Sequence, residues 1–294
     1  MTFVLLCIIL ILLIIYFVLT NIISYNEYDY EIICESKFNE YNNSLKKFEQ
    51  KLSNYYHYAD DYFRIDHGDQ YMNFFKRLGK CKIHICSDKN QIIGNAISIL
   101  RNIKNIGKCL YLCDLKVDMK HRNKYIPFKL INNGLNELEK TDKFYMIAMT
   151  GKACDKLERF IYFMNSFSDY NITYAGLLYI YTITFDQLKY VDKDLEKIDK
   201  YFFVSSANKK DLILKSTNKP MEILHINFNK YKFNATYDNF YLEPLKDHMY
   251  MFCLHENNKL VKVLKNKRIT TDVTAKIFHN NMKSDFGFIQ TSDI

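Results

Sequence analysis

The sequence predicts an α+β domain built on a mixed sheet, and three observations predict it. Lys82–Ser87 and Ile92–Leu100 are apolar runs joined by Asp88-Lys89-Asn90-Gln91, a hairpin by run length and turn chemistry. Tyr111 to Gly134 reads as an apolar strand, a basic turn and an amphipathic helix, with Ile126, Leu130 and Ile131 at helical spacing. Phe144–Met149 and Ala175–Thr184 are two more strand-length apolar runs, separated by a helical pattern from about Lys152 to Phe167. Hairpin strands and helix-linked strands together specify β-β-β-α-β-α-β over roughly residues 80–185.

The elements around that core follow in chain order. Phe3 to Ile23 is nearly unbroken apolar sequence of bilayer-spanning length. No basic residue precedes it and no small-residue cleavage site follows it, so residues 1–24 read as a retained signal anchor, a single transmembrane helix, and the protein as single-pass. Residues 25–79 read as a linker and amphipathic helices. Phe38, Tyr41, Leu45, Phe48, Leu52 and Tyr55 recur every three or four residues, a stripe that packs on its own domain. Gly68 to Gly79 reads as another helix, closed by Gly79.

After the core at 80–186, residues 187–294 read as an α+β C-terminal extension. Asp192–Lys200 and Thr271–Met282 are expected to be helical. Leu212–Leu214, Met221–Ile226, Met249–Leu254, Leu260–Leu264 and Phe286–Thr291 are expected to be strands. Two readings stay open: a second, divergent half like the first, or an extension that covers it. No Gly/Pro-rich linker divides the two parts, so they are expected to pack together.

Composition excludes some classes. Hydrophobic residues make up 48% of the chain, which argues for a real core and against wholesale disorder. The net charge is +8, but the basic residues are dispersed, and nucleic-acid binding needs a concentrated basic face. The eight cysteines sit mostly in apolar runs without zinc-ligand spacing, so no metal is expected.

The basic turn is the candidate site. Lys120, His121, Arg122 and Lys124 cluster where a strand ends and a helix begins. The first N–H groups of a helix lack internal partners, and its dipole favours negative charge there. The turn is therefore either a phosphate cradle or an ordinary solvated turn.

Asp114-Leu115-Lys116-Val117 followed by Arg122-Asn123-Lys124-Tyr125-Ile126-Pro127 resembles motif A of the GNAT superfamily of N-acetyltransferases. Tyr125 and Pro127 stand where the family has glycines. Gly94 in the preceding hairpin matches a frequent family glycine, and Tyr162 to Phe167 resembles Tyr-x-x-x-Gly-Phe with Ser166 in the glycine's place. The resemblance implies a GNAT-like fold and a membrane-anchored N-acyltransferase that takes an acyl group from acetyl-CoA to an unknown amine. It implies a soluble domain facing the cytosol, where acetyl-CoA is made. It implies coenzyme A contacts from Arg122, with Asn123, Lys124, Tyr125 and Ile126 in support. The Val117 N–H would bind the thioester carbonyl. Asp114, set between apolar neighbours that raise its pKa, would act as base, and Tyr162 would protonate the leaving thiolate. The alternative is a catalytically inactive GNAT-fold binding protein or a structural membrane protein, which replacement of both loop glycines keeps open.

Overall fold

A computed structural model describes residues 28–52, 56–58, 60–122, 124–136, 143–150, 158, 161–162, 164–166, 170–229, 237, 239–271, 273–284 and 286–294. Its centre is one eleven-stranded mixed sheet. The first edge is β1 (Asp29–Cys34), antiparallel to β4 (Lys80–Asp88). Then come β5 (Gln91–Ile103), β6 (Gly107–Val117) and β7 (Phe144–Met149). The hairpin β4–β5 and the strand β6 are antiparallel neighbours, while β6 and β7 are parallel and joined through the helix α3 (Ile126–Leu135). The β-branched and apolar wording of these runs explains the strands. Ile83, Ile85, Ile97 and Ile99 are all buried on one face.

Beyond β7 the order departs from the chain order. The neighbour of β7 is β14 (Val273–Asn280), and only then comes β8 (Thr173–Ile183). After β8 follow β13 (Met249–His255), β11 (Ile223–Phe228), β9 (Tyr201–Val204) and the edge strand β12 (Phe240–Tyr241). The pairings read the same outward in both directions from β14–β8. On one side they run antiparallel, parallel, antiparallel through β7, β6 and β5. On the other they run antiparallel, parallel, antiparallel through β13, β11 and β9. Two similar strand sets are thus joined by exchanged strands: β8 sits beside β13, and β14 sits beside β7. A small separate sheet holds β2 (Tyr56–Tyr58), β3 (Asp61–Asp66) and β10 (Asp211–Leu214).

Helices cover both faces. On one face lie α1 (Phe38–Leu52) and α2 (Asn73–Lys76), together with Phe286, Phe288 and Ile289, over Ile97, Tyr111, Tyr145 and Ile277. The stripe of α1 buries Phe38, Leu45, Phe48 and Leu52 against this domain, as its spacing predicts. On the other face, α3 and helical residues 161 and 164 pack over Leu112, Phe144 and Met146. Farther along that face, α4 (Phe185–Glu196) and α5 (Lys259–Asn266) cover Ile183, Phe203, Leu224 and Phe252.

Four expectations are corrected. Leu260–Leu264 is helix, because Leu260 and Leu264 form an i,i+4 buried pair and the Asn258 side chain caps the helix by accepting from Leu260 N at 2.9 Å. Thr271–Met282 contains a strand, with Ala275 and Ile277 alternating inward. Phe286–Thr291 is not a strand, and Gly68–Gly79 is helical only over Asn73–Lys76. The single-pass membrane assignment is also corrected: among the described residues, no helix is long and apolar enough to cross a membrane. Phe3–Ile23, which carried that assignment, lies outside the described residues.

Candidate functional site

The site grows from an irregularity in β6. Asn95 pairs with Lys116 and Ile97 with Cys113, so the two residues Asp114 and Leu115 face the single residue Ala96. This is a β-bulge, and Asp114 takes φ +53°, a conformation that non-glycine residues rarely adopt. The bulge shifts the phase of the strand. Leu115 turns outward to solvent, and Lys116 turns inward toward Glu49 of α1 and Tyr71.

The bulge coincides with an opening. β6 and β7 pair only at Leu110–Leu112 with Phe144–Met146. Past Leu112 and Met146, among the described residues, no pairing joins them. Asp118 N donates to Ile93 O of β5 at 2.8 Å. Backbone groups alternate in direction along a strand, so the Val117 N–H points away from β5, toward this opening. The Val117 carbonyl points the same way and accepts from Arg122 Nε at 3.2 Å.

The N-terminus of α3 stands beside it. No side chain caps that end, its first turn carries no acidic residue, and Pro127 occupies the first turn, where its missing N–H costs nothing. Lys120 and Arg122 are exposed; His121, Lys124 and Tyr125 are half-buried, and Ile126 is buried. The Tyr28 hydroxyl receives Lys124 Nζ and lies 3.3 Å from His121 Nδ1. The one carboxylate in the loop, Asp118, is answered by Lys51 at 2.6 Å; that hydrogen bond and the Lys120 N–H hold its pKa below the usual range. A neutralised Asp118 leaves the field of the loop positive. Gly94 explains how α3 comes so close to β5: a Cβ there would lie 3.1 Å from Ile126 Cγ2 and 3.2 Å from Leu130 Cδ1.

Asp114 is where the structure departs most from the sequence reading. Its neighbours are ionic, not apolar, because the bulge turns it into a polar cluster. Its side chain is 8% exposed and its carboxylate meets Lys116 Nζ at 2.8 Å. It accepts from Tyr71 OH at 2.5 Å and from Asn95 Nδ2 at 2.9 Å. Asn95 Nδ2 also donates to the Asp114 carbonyl at 2.9 Å, bracing the bulge. Lys116 continues the network to Glu49 of α1 at 2.7 Å, and Glu49 meets His67 Nδ1 at 2.6 Å. Burial opposes ionisation of Glu49, but His67 and Lys116 outweigh it and hold its pKa at about 2. Burial likewise opposes the charge on Lys116, yet Asp114, Tyr71 and Glu49 raise its pKa well above normal.

Tyr162 is not part of this cluster. It is 78% exposed, while Ile161 and Met164 of the same helical stretch face the core. Asn123 lies outside the described residues. The bulge thus brings Val117 and Arg122 together at one opening, with Lys124, Tyr125 and Ile126 at its rim, and it does not bring Tyr162 to Asp114.

Glu49, His67, Tyr71 and Asn95 escaped the sequence reading. One signal was present for Glu49: it is four residues after Leu45 and three before Leu52, an acid on the flank of a buried stripe.

The sequence matches no family model and no curated protein. Several solved structures are similar to the chain at low identity. A GNAT-family acetyltransferase from Staphylococcus aureus Mu50 is 19% identical, with 50% of this chain and 86% of that one covered and a TM-score of 0.33. Arabidopsis thaliana Naa50, solved with the bisubstrate analogue CoA-Ac-MVNAL, is 12% identical over 51% and 86%, with a TM-score of 0.34. A putative acetyltransferase from Pyrococcus horikoshii is 8% identical over 91% and 92%, with a TM-score of 0.48.

Proposed function

We propose that the opening between β6 and β7 receives an acyl-coenzyme A thioester and that the chain is a GNAT-type N-acyltransferase. The observation that carries this reading is the Val117 N–H turned into a parted strand pair beside an uncapped, basic helix N-terminus. A thioester supplies an activated acyl group. The chain's own residues would hold and polarise it. Arg122, with Lys124 and the amides of Tyr125 and Ile126, would take the pyrophosphate, since guanidinium and phosphate pair strongly. The Val117 N–H would donate to the thioester carbonyl as negative charge develops on its oxygen. Asp114 is a positioning residue in this scheme: bound by Lys116, Tyr71 and Asn95, it holds the bulge that aims Val117. The exposed Tyr162 hydroxyl remains the candidate proton donor to the thiolate.

A binding protein without turnover is the second reading. Its supporting observation is that the Asp114 carboxylate is already engaged by three partners, so no described carboxylate of the cluster stands ready as a base.

Titration of the full chain with coenzyme A tests both. Binding tighter than millimolar is expected, weakened about 5–150-fold in Arg122→Ala by loss of a charge-assisted bond of about 1–3 kcal/mol. Binding without acetyl transfer to any amine selects the second reading. No binding by the wild-type protein sinks both.

A further inference from the structure

The two parallel strand pairs part at opposite ends of the sheet. β6 and β7 part beyond Met146, whereas His279 and Asn280 of β14 stand opposite Tyr145 and Phe144, at the other end of β7. At that other end β11 and β13 pair at Ile223–His225 with Met249–Met251 and then part. A cavity of about 460 Å³ lies beyond their last paired residues, lined by Phe228, Cys253 and Leu254 and roofed by Phe286, Gly287 and Ile289. Small-molecule sites usually measure about 300–1,000 Å³. The interior is apolar, and Leu178, Phe228 and Ile289 are all buried. One wall is a set of three rings. Phe286 packs on both His255 and His279, its centroid 6.1 and 5.2 Å from theirs. His255 Nε2 donates to Ala175 O at 2.9 Å, and its Nδ1 accepts from Asn257 N at 3.3 Å. His279 Nδ1 accepts from Met282 N at 3.3 Å, and its Nε2 lies 3.1 Å from Thr173 Oγ1. An imidazole nitrogen that accepts carries no proton, so both rings are neutral and the wall brings no charge. Phe286 holds its place with φ +54°, a conformation that bulky residues rarely adopt. Backbone strain of this kind collects at ligand clamps.

The mouth of the cavity is different. Lys283 is exposed there, and Ser284, whose Oγ accepts from Phe286 N at 3.0 Å, keeps its own O–H to donate. No acidic side chain is among the described residues that line the cavity. We propose that this cavity is a second ligand site of the protein and that it takes a medium-chain monocarboxylate, with the chain in the apolar interior and the carboxylate at Lys283 and Ser284. An aliphatic chain restores the dispersion contacts that an empty apolar space forgoes. One ammonium and one hydroxyl suit a single carboxylate. They do not suit coenzyme A, whose several phosphates need more cations than this mouth has. The site is independent of the acyl-transfer reading, because it lies at the far end of the strands from Val117 and Arg122. An occupant would touch β8 at Leu178, β13 at Cys253 and β14 at His279. Those strands include the two by which the halves are exchanged, so binding should stabilise the whole chain.

Thermal melting of the full chain with octanoate as the probe tests this. Octanoate should raise the melting temperature saturably, and octylammonium, of equal length and opposite charge, should not. Lys283→Glu reverses the charge at the mouth and should weaken octanoate binding about tenfold. Ala175→Leu adds bulk to a residue that lines the cavity and should abolish the response. If Ala175→Leu does not fold, the exposed Lys283 variant still decides the matter. No shift with octanoate in wild type overturns the proposal. An equal shift with octylammonium, or a response unchanged in Lys283→Glu, overturns it too. Displacement of octanoate by coenzyme A would place the carboxylate in the opening beside Val117 and also overturn it. Coenzyme A binding with the octanoate response intact supports both sites. An octanoate response without coenzyme A binding keeps this site and removes the acyl-transfer reading.

Discussion

The β6/β7 opening has a counterpart across the sheet. β11 and β13 are also parallel, also pair over three residues, Ile223–His225 with Met249–Met251, and then part. There the chain answers the parted strands itself. Phe228 N donates to Gln290 Oε1 at 3.3 Å, and Thr291 Oγ1 donates to Met251 O at 3.0 Å. Cys253 Sγ donates to Ile289 O, and Asn227 Nδ2 donates to Ser292 Oγ at 2.8 Å. At the first opening Val117 O has only a flexible arginine side chain as its described partner. Polar backbone at a parted pair must find partners. One half of the molecule finds them in its own segment 289–292, and the other leaves the position to a side chain that can be displaced. The difference separates a gap closed by a backbone segment of the chain from one answered by a single side chain.

The largest expected effect lies where the C-terminal segment that closes the second gap reaches back to β5 and β7. Arg101 and Asp293 pair at 2.8 Å with both side chains 1% exposed, and Tyr145 OH accepts from Arg101 at 2.7 Å. Asp293→Ala leaves a buried guanidinium without its carboxylate and should cost about 3–5 kcal/mol in denaturant titration. A loss below about 1 kcal/mol would show that the C-terminal segment is not anchored to the sheet through Asp293, and would weaken the contrast it is part of.

Next in size is a pH dependence that separates the two regions. His225 bonds Thr291 and Ser206, each at 3.0 Å, and burial, with Arg77 adding to it, pushes its pKa down to about 3. The unfolded chain therefore takes up a proton near pH 6.5 that the folded chain refuses until about pH 3. Stability should fall as pH drops through that window, by at most about 1.4 kcal/mol per unit. Glu49 acts in the same direction over a more acidic window. Its pKa is about 2 in the fold, so its contribution is complete above the unfolded value near 4.3 and is lost only between there and about pH 2. His225→Gln should flatten the curve between pH 6.5 and 4.5 and leave the acid limb. A curve unchanged by that variant removes His225 from the account.

The smallest effect sharpens the open side. Tyr162→Phe removes one exposed hydroxyl and should change stability by no more than about 0.5 kcal/mol. Any loss of acetyl transfer, on the order of 10–100-fold at most because water can substitute, then reports chemistry alone. An unchanged rate withdraws Tyr162 as the acid.

How much of this was legible in the sequence depends on distance along the chain. β4, β5, β7 and β8 were readable because apolar runs and turn residues act locally. The helix N-terminus at Ile126 was readable for the same reason. The bulge was not: Asp114-Leu115-Lys116-Val117 reads as plain alternation, and only the pairing with Asn95 and Ile97 shows the inserted residue that sends Lys116 inward. The insertion of β14 was also hidden. Val273–Asn280 was read as helix, and strand order depends on contacts more than a hundred residues apart, such as Ile277 with Ile147. The polar cluster around Asp114 gathers Glu49, Tyr71, Asn95 and Lys116 from four separate segments, so no local pattern could have announced it.

The position of β14 has a consequence for how the protein is made. Emerging from the ribosome, the chain completes β7 and β8 long before residue 273 exists. The strand that must lie between them arrives about ninety residues after β8. Until then both strands present open edges, the usual template for unwanted pairing. Productive folding of the first half therefore waits on late synthesis, and so non-local a pairing is slow to find. A translation pause placed between β8 and β14 should raise aggregation of nascent chains, and chaperones that shield strand edges should matter most for this protein in that interval.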